Sequence, residues 1–326
     1  MAAPMANIAD IAGATRQSIG RYFSLVSFIP SALLVAYVFA LLSSGALHRP
    51  PDLGSVTHAV SKLGIADVAA LVFVSVGLGL ALHPLQFAFV QFFEGYWGTG
   101  SLAQRARSAR IWWHWQRLRA LQDQSNYGND LLSDQEDDED LRRRIAIVSL
   151  QDEADRLCAD QPKLIYDTMP TRLGNVLRYY ESSAGAPYGL GAIAVMPYLA
   201  RVAPAEDMAY VNDQRSNLDL AVRMILVSAI AFILSVGLLW RYGLWLLVAL
   251  VPYTLAFLSY RGAIVAARAY GRAFAVVIAL NRFALYERLH LPLPPNIFEE
   301  RRNNETLVEI LNYNASESLK YKHPRS

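Results

Sequence analysis

The residues best suited to chemistry are five polar or helix-breaking residues at the end of an otherwise apolar stretch. The chain has 326 residues, and 68–93 contains no Asp, Glu, Lys or Arg. An ionisable side chain inside a membrane segment commonly marks an ion or proton pathway, whereas interhelical hydrogen bonding is the plainer interpretation. Both remain open. The proline frees a backbone carbonyl and kinks the helix. The five residues are His83, Pro84, Gln86, Gln91 and Glu94.

A second set of residues that could take part in binding or chemistry is basic and lies near the C-terminal end of the last apolar segment. Arg261, Arg268 and Arg272 fall within about 40° of one another on a helix of about 100° per residue. They predict either headgroup anchoring or a basic ring at the cytoplasmic mouth of an anion-permeable pore. The same segment carries small residues at every fourth position, which lets helices approach closely within the chain or between subunits. These are Ala263, Ala267, Gly271 and Ala275.

Motifs for enzymes and metal sites are scarce. Residues 134–140 include six acidic side chains, which suit either a solvated loop entering a helix or a divalent-cation site, although the run lacks the glycine of an EF-hand loop. The single cysteine, Cys158, and six scattered histidines form no ligand pair. No nucleotide-binding loop, hydrolase motif or zinc motif occurs. The sequence therefore predicts a protein that is not an enzyme and has no cofactor or bound metal.

The elements that must position these residues are membrane helices. Charged residues make up 18% of the chain, below the roughly 25% usual for soluble domains, because four windows almost lack them. A span needs about 20 apolar residues. The first window is too long for a signal peptide and is interpreted as a retained anchor. In the third, Asp219 and Arg223 are expected at the headgroup level. The predicted spans are 23–47, 67–93, 218–240 and 243–265.

The distribution of basic residues predicts the orientation. Ten flank the spans on one side and three on the other, so the side with ten should be cytoplasmic. The prediction is an all-α, multi-pass protein of the bacterial plasma membrane with both termini in the cytoplasm. It comprises a cytoplasmic tail (1–22), two transmembrane hairpins (23–93 and 218–265), a cytoplasmic helical domain (94–217) and a helical extension with a C-terminal tail (266–326).

The cytoplasmic segment begins with a helix rich in arginine and tryptophan, predicted over 100–124. Interleaved arginine and aromatic side chains suit a helix at lipid headgroups or one packed on a partner. They also suit single-stranded nucleic acid, but attachment to the membrane favours lipid. The interleaved residues include Arg105, Arg107, Arg110, Trp112 and Trp113.

A distinctive string, Met169–Glu181, follows in the same segment. Its helix should begin at Pro170 and Thr171, and its polar side chains recur at three- and four-residue spacing. With Tyr188–Leu190, Met196–Leu199, Asn217–Arg223, Leu258–Ala263 and Leu289–Pro294, this string resembles a family of actinobacterial multi-pass membrane proteins with no established activity. The resemblance spans about 165–295 and implies a membrane protein with a helical cytoplasmic insert. The motif residues are Pro170, Thr171, Arg172, Gly174, Asn175, Arg178 and Glu181.

Three functions are consistent with these features. The first is a pore or membrane-perturbing assembly of several copies of the chain, controlled by the cytoplasmic helical domain. The second is a membrane-anchored scaffold or signalling protein that recruits a cytoplasmic protein through 94–217. The third is a lipid-acting enzyme that uses Arg172, Asn175, Arg178 and Glu181. The expected partners are the lipid bilayer, further copies of the chain and a cytoplasmic protein, but not nucleic acid.

Overall fold

The computed structural model describes residues 23–130, 138–158, 162, 167–312 and 321–322. Within these ranges the regular structure is entirely helical. After a π-helical stretch at Phe23–Phe28, the helices are α1 (Ile29–Ser43), α2 (Leu53–Ser61), α3 (Ile65–Leu82), α4 (Gln86–Glu94), α5 (Ser101–Asp130), α6 (Asp138–Cys158), α7 (Arg172–Ser183), α8 (Ala192–Val202), α9 (Ala205–Leu239), α10 (Leu250–Arg288) and α11 (Ile297–Leu311). Short 3₁₀ helices occupy Ala186–Tyr188 and Gly243–Ala249.

Four helices are long and apolar enough to cross a membrane: Val26–Ser43, Ile65–Leu82, Ala205–Leu239 and Gly243–Arg288. This confirms the predicted all-helical fold with four candidate spans and indicates a membrane protein. The predicted tail 1–22 lies outside the described residues, as do 134–137 of the acidic run.

The chain divides into two compact units. The first contains residues up to Val90 together with Asp213–Ala266, and the second contains Gln91–Asn212 together with Ala267–Ser326. The first unit holds α1, α2, α3, the start of α4, the part of α9 from Asp213 onward and the start of α10.

The first unit is built by close packing of apolar helices around a few satisfied hydroxyls. Gly79 of α3 lies against the Ser27 backbone, where a Cβ would stand 3.0 Å from the Ser27 carbonyl oxygen. Helix α1 packs on α9 through an apolar cluster that includes Leu34 and Val227. A polar bridge supports the same pair of helices, since the Tyr37 and Ser235 hydroxyls are 2.6 Å apart.

The second unit has its core where α8, the C-terminal half of α10 and α11 meet. Leu199, Ile278 and Leu307 are buried in one cluster there. Asn304 links the elements, because it accepts a hydrogen bond from the Tyr286 hydroxyl at 2.7 Å and donates one to the Tyr188 carbonyl at 2.8 Å. Helices α5 and α6 pack against each other in this unit.

Capping residues explain where two helices outside the predicted spans begin. The loop between the first two spans contains α2, whose N-terminus is capped by the Asp52 carboxylate through the amides of Gly54 and Ser55. The last helix lies in the predicted segment 266–326 and begins at Ile297 because Asn296 caps it in the same way.

Candidate functional site

A buried polar cluster lies in the first unit, where α9 passes the start of α4. Arg223 is fully buried, and Gln86 and Asp219 are each 7% exposed. The Gln86 side-chain oxygen accepts a hydrogen bond from Arg223 Nε at 3.0 Å. The Gln86 amide nitrogen donates to the Asp219 carbonyl oxygen at 3.0 Å and lies 3.5 Å from the Asp219 carboxylate. Gln86 therefore joins a basic and an acidic residue of one helix.

The break between α3 and α4 positions Gln86. Helix α3 ends at Leu82, and α4 begins only at Gln86. Pro84 has no amide hydrogen for the helical hydrogen-bond ladder, so it accounts for the interruption. The break divides the predicted span 67–93 into two helices.

A fully buried arginine in an apolar helix is energetically expensive. Its guanidinium is always charged, and burial costs several kcal/mol unless hydrogen bonds and an opposite charge offset it. Asp219 precedes Arg223 by four residues, which puts both side chains on one face of α9. Both Asp219 and Arg223 are buried within the protein.

The structure does not bring the five polar residues of the predicted second span together. His83 and Pro84 are exposed at the helix break, whereas Gln86 is buried in the Arg223 cluster. Gln91 and Glu94 are half-buried and belong to the second compact unit. Of the five, only Gln86 shares a site with Arg223.

The motif helix α7 forms a close junction with the end of α4 inside the second unit. The Thr171 side chain caps α7 by accepting from the Gly174 amide at 3.0 Å, and it donates to the Glu94 carbonyl oxygen at 2.9 Å. A Cβ at Gly174 would overlap that carbonyl. Gly95, with φ of 107°, lies directly against the Pro170 ring. These glycines and the threonine explain why the motif residues occur together.

The polar residues of the motif mainly hold this junction in place. The Asn175 side-chain oxygen accepts from the Met169 amide at 2.6 Å, and Asn175 is fully buried. Arg178 forms ion pairs with Glu181 at 3.4 Å and Asp167 at 3.5 Å. Arg172, at the start of the helix, is half-buried.

Among the titratable groups at the junction of α4 and α7, Glu94 has the most strongly shifted pKa. Burial, followed by repulsion from Glu181, raises the pKa of Glu94 to about 7. The neighbouring helix α5 shows the opposite effect on a base, because burial and then Arg110 lower the pKa of His114. No group of three or more His, Cys, Asp or Glu able to hold a metal occurs among the residues that the structure describes.

The small residues of α10 are occupied within the chain. Ala263 and Ala267 are fully buried, and a Cβ at Gly271 would overlap the Tyr180 ring of α7. Ala275 is half-buried. This face therefore serves intrachain packing, which was one of the two alternatives. Of the three arginines predicted to form a basic stripe on α10, Arg261 and Arg272 are exposed and Arg268 is half-buried.

The chain was compared with protein families, curated proteins and solved structures, and none matched. The resemblance of the Met169–Glu181 motif therefore stays a prediction.

Proposed function

We propose that this protein is a non-enzymatic integral membrane protein of the bacterial plasma membrane. In this proposal several copies form an ion-conducting pore or membrane-perturbing assembly. The helical segment 94–217 lies in the cytoplasm, as do both termini, and controls the assembly.

The observation that carries the proposal is the burial of Arg223. Apolar side chains would stabilise a simple membrane anchor at lower cost, since replacing buried ionic groups by well-packed apolar ones is often neutral or stabilising. Charged residues inside membrane segments are rare, and they mark ion pathways, proton relays or substrate sites. The adjoining helix break at Pro84 supports the same interpretation, because interrupted helices commonly line such pathways.

The surfaces available for assembly follow from what the chain leaves uncovered. The small-residue face of α10 is filled within the chain, so contacts between copies must use another face. Helix α3 exposes a run of large apolar side chains, with Phe73 79% exposed and Val68 and Val72 about half exposed. These side chains suit lipid or a second copy of α3.

The test is ion flux through liposomes that contain the purified full-length protein. Wild type is compared with Arg223→Met and Arg223→Lys, and with Tyr37→Phe as the matched control. Tyr37→Phe removes an interhelical hydrogen bond from the same compact unit without touching Arg223. We expect flux from wild type and Tyr37→Phe, partial flux from Arg223→Lys, and little from Arg223→Met.

Two results would contradict the proposal. One is the absence of flux from wild-type protein under any salt gradient or membrane voltage. The other is a strictly monomeric protein in native mass spectrometry. Loss of flux from Tyr37→Phe as well as Arg223→Met would show that the assay reports folding rather than the Arg223 site.

A scaffold that recruits a cytoplasmic protein is the second candidate function. The observation that favours it is an exposed apolar stripe on α6, formed by Leu141, Ile145 and Val148 at helical spacing. Crosslinking from residues 138–158 in cells tests this candidate. Recovery of one specific protein, lost in Ile145→Asp, would support the scaffold, and no crosslinked protein would count against it.

A further inference from the structure

The first two-thirds of helix α5 carry a concentrated positive charge. No acidic residue occurs between Ser101 and Gln122, whereas the same stretch contains five arginines. All five are exposed: Arg105, Arg107, Arg110, Arg117 and Arg119.

The exposed side of α5 is also aromatic and apolar. Leu102, Trp112 and Trp113 are 79%, 63% and 45% exposed. On a helix of about 100° per residue these side chains share one broad face with Arg105, Arg110 and Arg117. The opposite face carries the half-buried side chains of Ala103, Ile111, His114 and Trp115. The aromatic face points away from the half-buried one and is exposed among the residues that the structure describes.

Two arginines hold the central tryptophan of this face. The guanidinium of Arg110 lies 5.4 Å from the centre of the Trp113 ring, and that of Arg117 lies 5.6 Å from it. Such contacts order the ring, and the exposed guanidinium of Arg110 is suited to binding an anion. The pKa of His114 is lowered, so at neutral pH the charge of this region comes from arginines and stays constant.

We propose that this face of α5, defined by Leu102, Arg105, Arg110, Trp113 and Arg117, lies on the membrane surface and binds anionic lipid headgroups. Arginines complement the headgroup phosphates, and tryptophan rings are best accommodated at the membrane–water interface. Fewer than twenty residues separate α5 from the candidate span that ends at Leu82, so bilayer lipid is the anion source nearest along the chain. The inference does not depend on whether the protein conducts ions.

The test measures the depth of a nitroxide on α5 in full-length protein held in lipid nanodiscs. The label is placed by Ala109→Cys, an exposed position on the proposed face, in a Cys158→Ser background that removes the single native cysteine. Accessibility to oxygen and to a nickel chelate is compared between phosphatidylcholine discs and discs containing one-quarter phosphatidylglycerol. We expect the label to move into the headgroup layer when phosphatidylglycerol is present.

A matched pair of charge variants distinguishes lipid binding by this face from a general effect of positive charge on the protein. Arg105, Arg110 and Arg117 are replaced by glutamine in one variant. The control variant carries R142Q, R201Q and R302Q, three exposed arginines in the same compact unit but on other helices. Each arginine near an anionic surface contributes about 1 kcal/mol to the free energy of membrane binding, which is about fivefold in the binding constant. In the first variant, the preference of the α5 label for the headgroup layer of phosphatidylglycerol discs should therefore fall at least roughly tenfold. The control should keep its preference.

Three outcomes would overturn the proposal. The label at 109 could remain fully aqueous in both kinds of disc. The two charge variants could lose the lipid preference equally. An added oligonucleotide could protect the label where phosphatidylglycerol does not, which would assign the face to nucleic acid instead.

Discussion

The hydrogen bond between Gln86 and Arg223 should contribute measurably to stability, and a double-mutant cycle can isolate it. The single variants are Gln86→Leu and Arg223→Met, which keep approximate side-chain length while removing the polar groups. Arg223→Met leaves the buried Gln86 oxygen without its donor at 3.0 Å, and Gln86→Leu leaves a buried guanidinium without that acceptor. The costs of the two single variants should therefore add up to more than the cost of the double variant.

Two general magnitudes bracket the expected coupling energy. Hydrogen bonds to charged groups contribute about 1.5–3 kcal/mol in folded proteins. Polar contacts between membrane helices average about 0.6 kcal/mol and reach about 1.7 kcal/mol, because the unfolded chain in a membrane also finds partners. Since Arg223 is charged and fully buried, the upper part of the membrane range applies, and we expect a coupling of about 1–2 kcal/mol.

The assay is reversible unfolding of full-length protein in mixed micelles, followed by circular dichroism as the denaturing detergent is increased. A second cycle, Tyr37→Phe with Ser235→Ala, is the internal standard, because this pair is neutral and lies in the same compact unit. Its coupling should be about 0.5 kcal/mol. A Gln86–Arg223 coupling no larger than that of the neutral pair would refute the assignment of Arg223 to a charge-assisted bond within the bundle.

Three further predictions concern the second unit. Gly174→Ala should destabilise the protein by about 1–3 kcal/mol because the added Cβ would overlap a backbone carbonyl. Gly191→Ala should be nearly neutral, because the nearest atom to its added Cβ is 3.5 Å away. Chemical unfolding of both variants tests this, and equal losses of stability would contradict it. Because the folded-state pKa of Glu94 is about 7 and its ordinary value is 4.5, the folded state binds the extra proton, so the melting temperature should fall as pH rises from about 4.5 to about 7. The fall should be smaller in Glu94→Gln, and an identical slope would contradict the pKa. Asn296→Ala should cost about 1 kcal/mol by removing the cap of α11, and an unchanged unfolding midpoint would show that the cap is unimportant.

The four candidate spans could be predicted from the sequence because each depends only on the length of a stretch without charged residues. The interruption after Leu82 was also foreseeable as a kink, since Pro84 acts locally on its own helix. Packing between distant elements was not accessible in this way. The sequence left open whether the small face of α10 packs within the chain or between copies, and it did not indicate that Gly271 packs on Tyr180 of α7.

The candidate site illustrates the same limit. Sequence analysis singled out Gln86 but assigned Asp219 and Arg223 to the headgroup level, because charges at the start of a span can usually reach water. Their four-residue spacing was the signal that both share one face of a helix and could hold a third polar group. This spacing indicates a site only when Gln86 of another helix lies beside the two residues, and no local pattern in α9 predicts that contact.

Planar-bilayer recording of purified protein under a potassium chloride gradient tests the central claim most directly. The account predicts discrete conductance events from wild type and few or none from Arg223→Met, because the fully buried charge marks the conducting part of the protein. Absence of conductance from wild type at every voltage, or conductance from Arg223→Met equal to that of wild type, would contradict it.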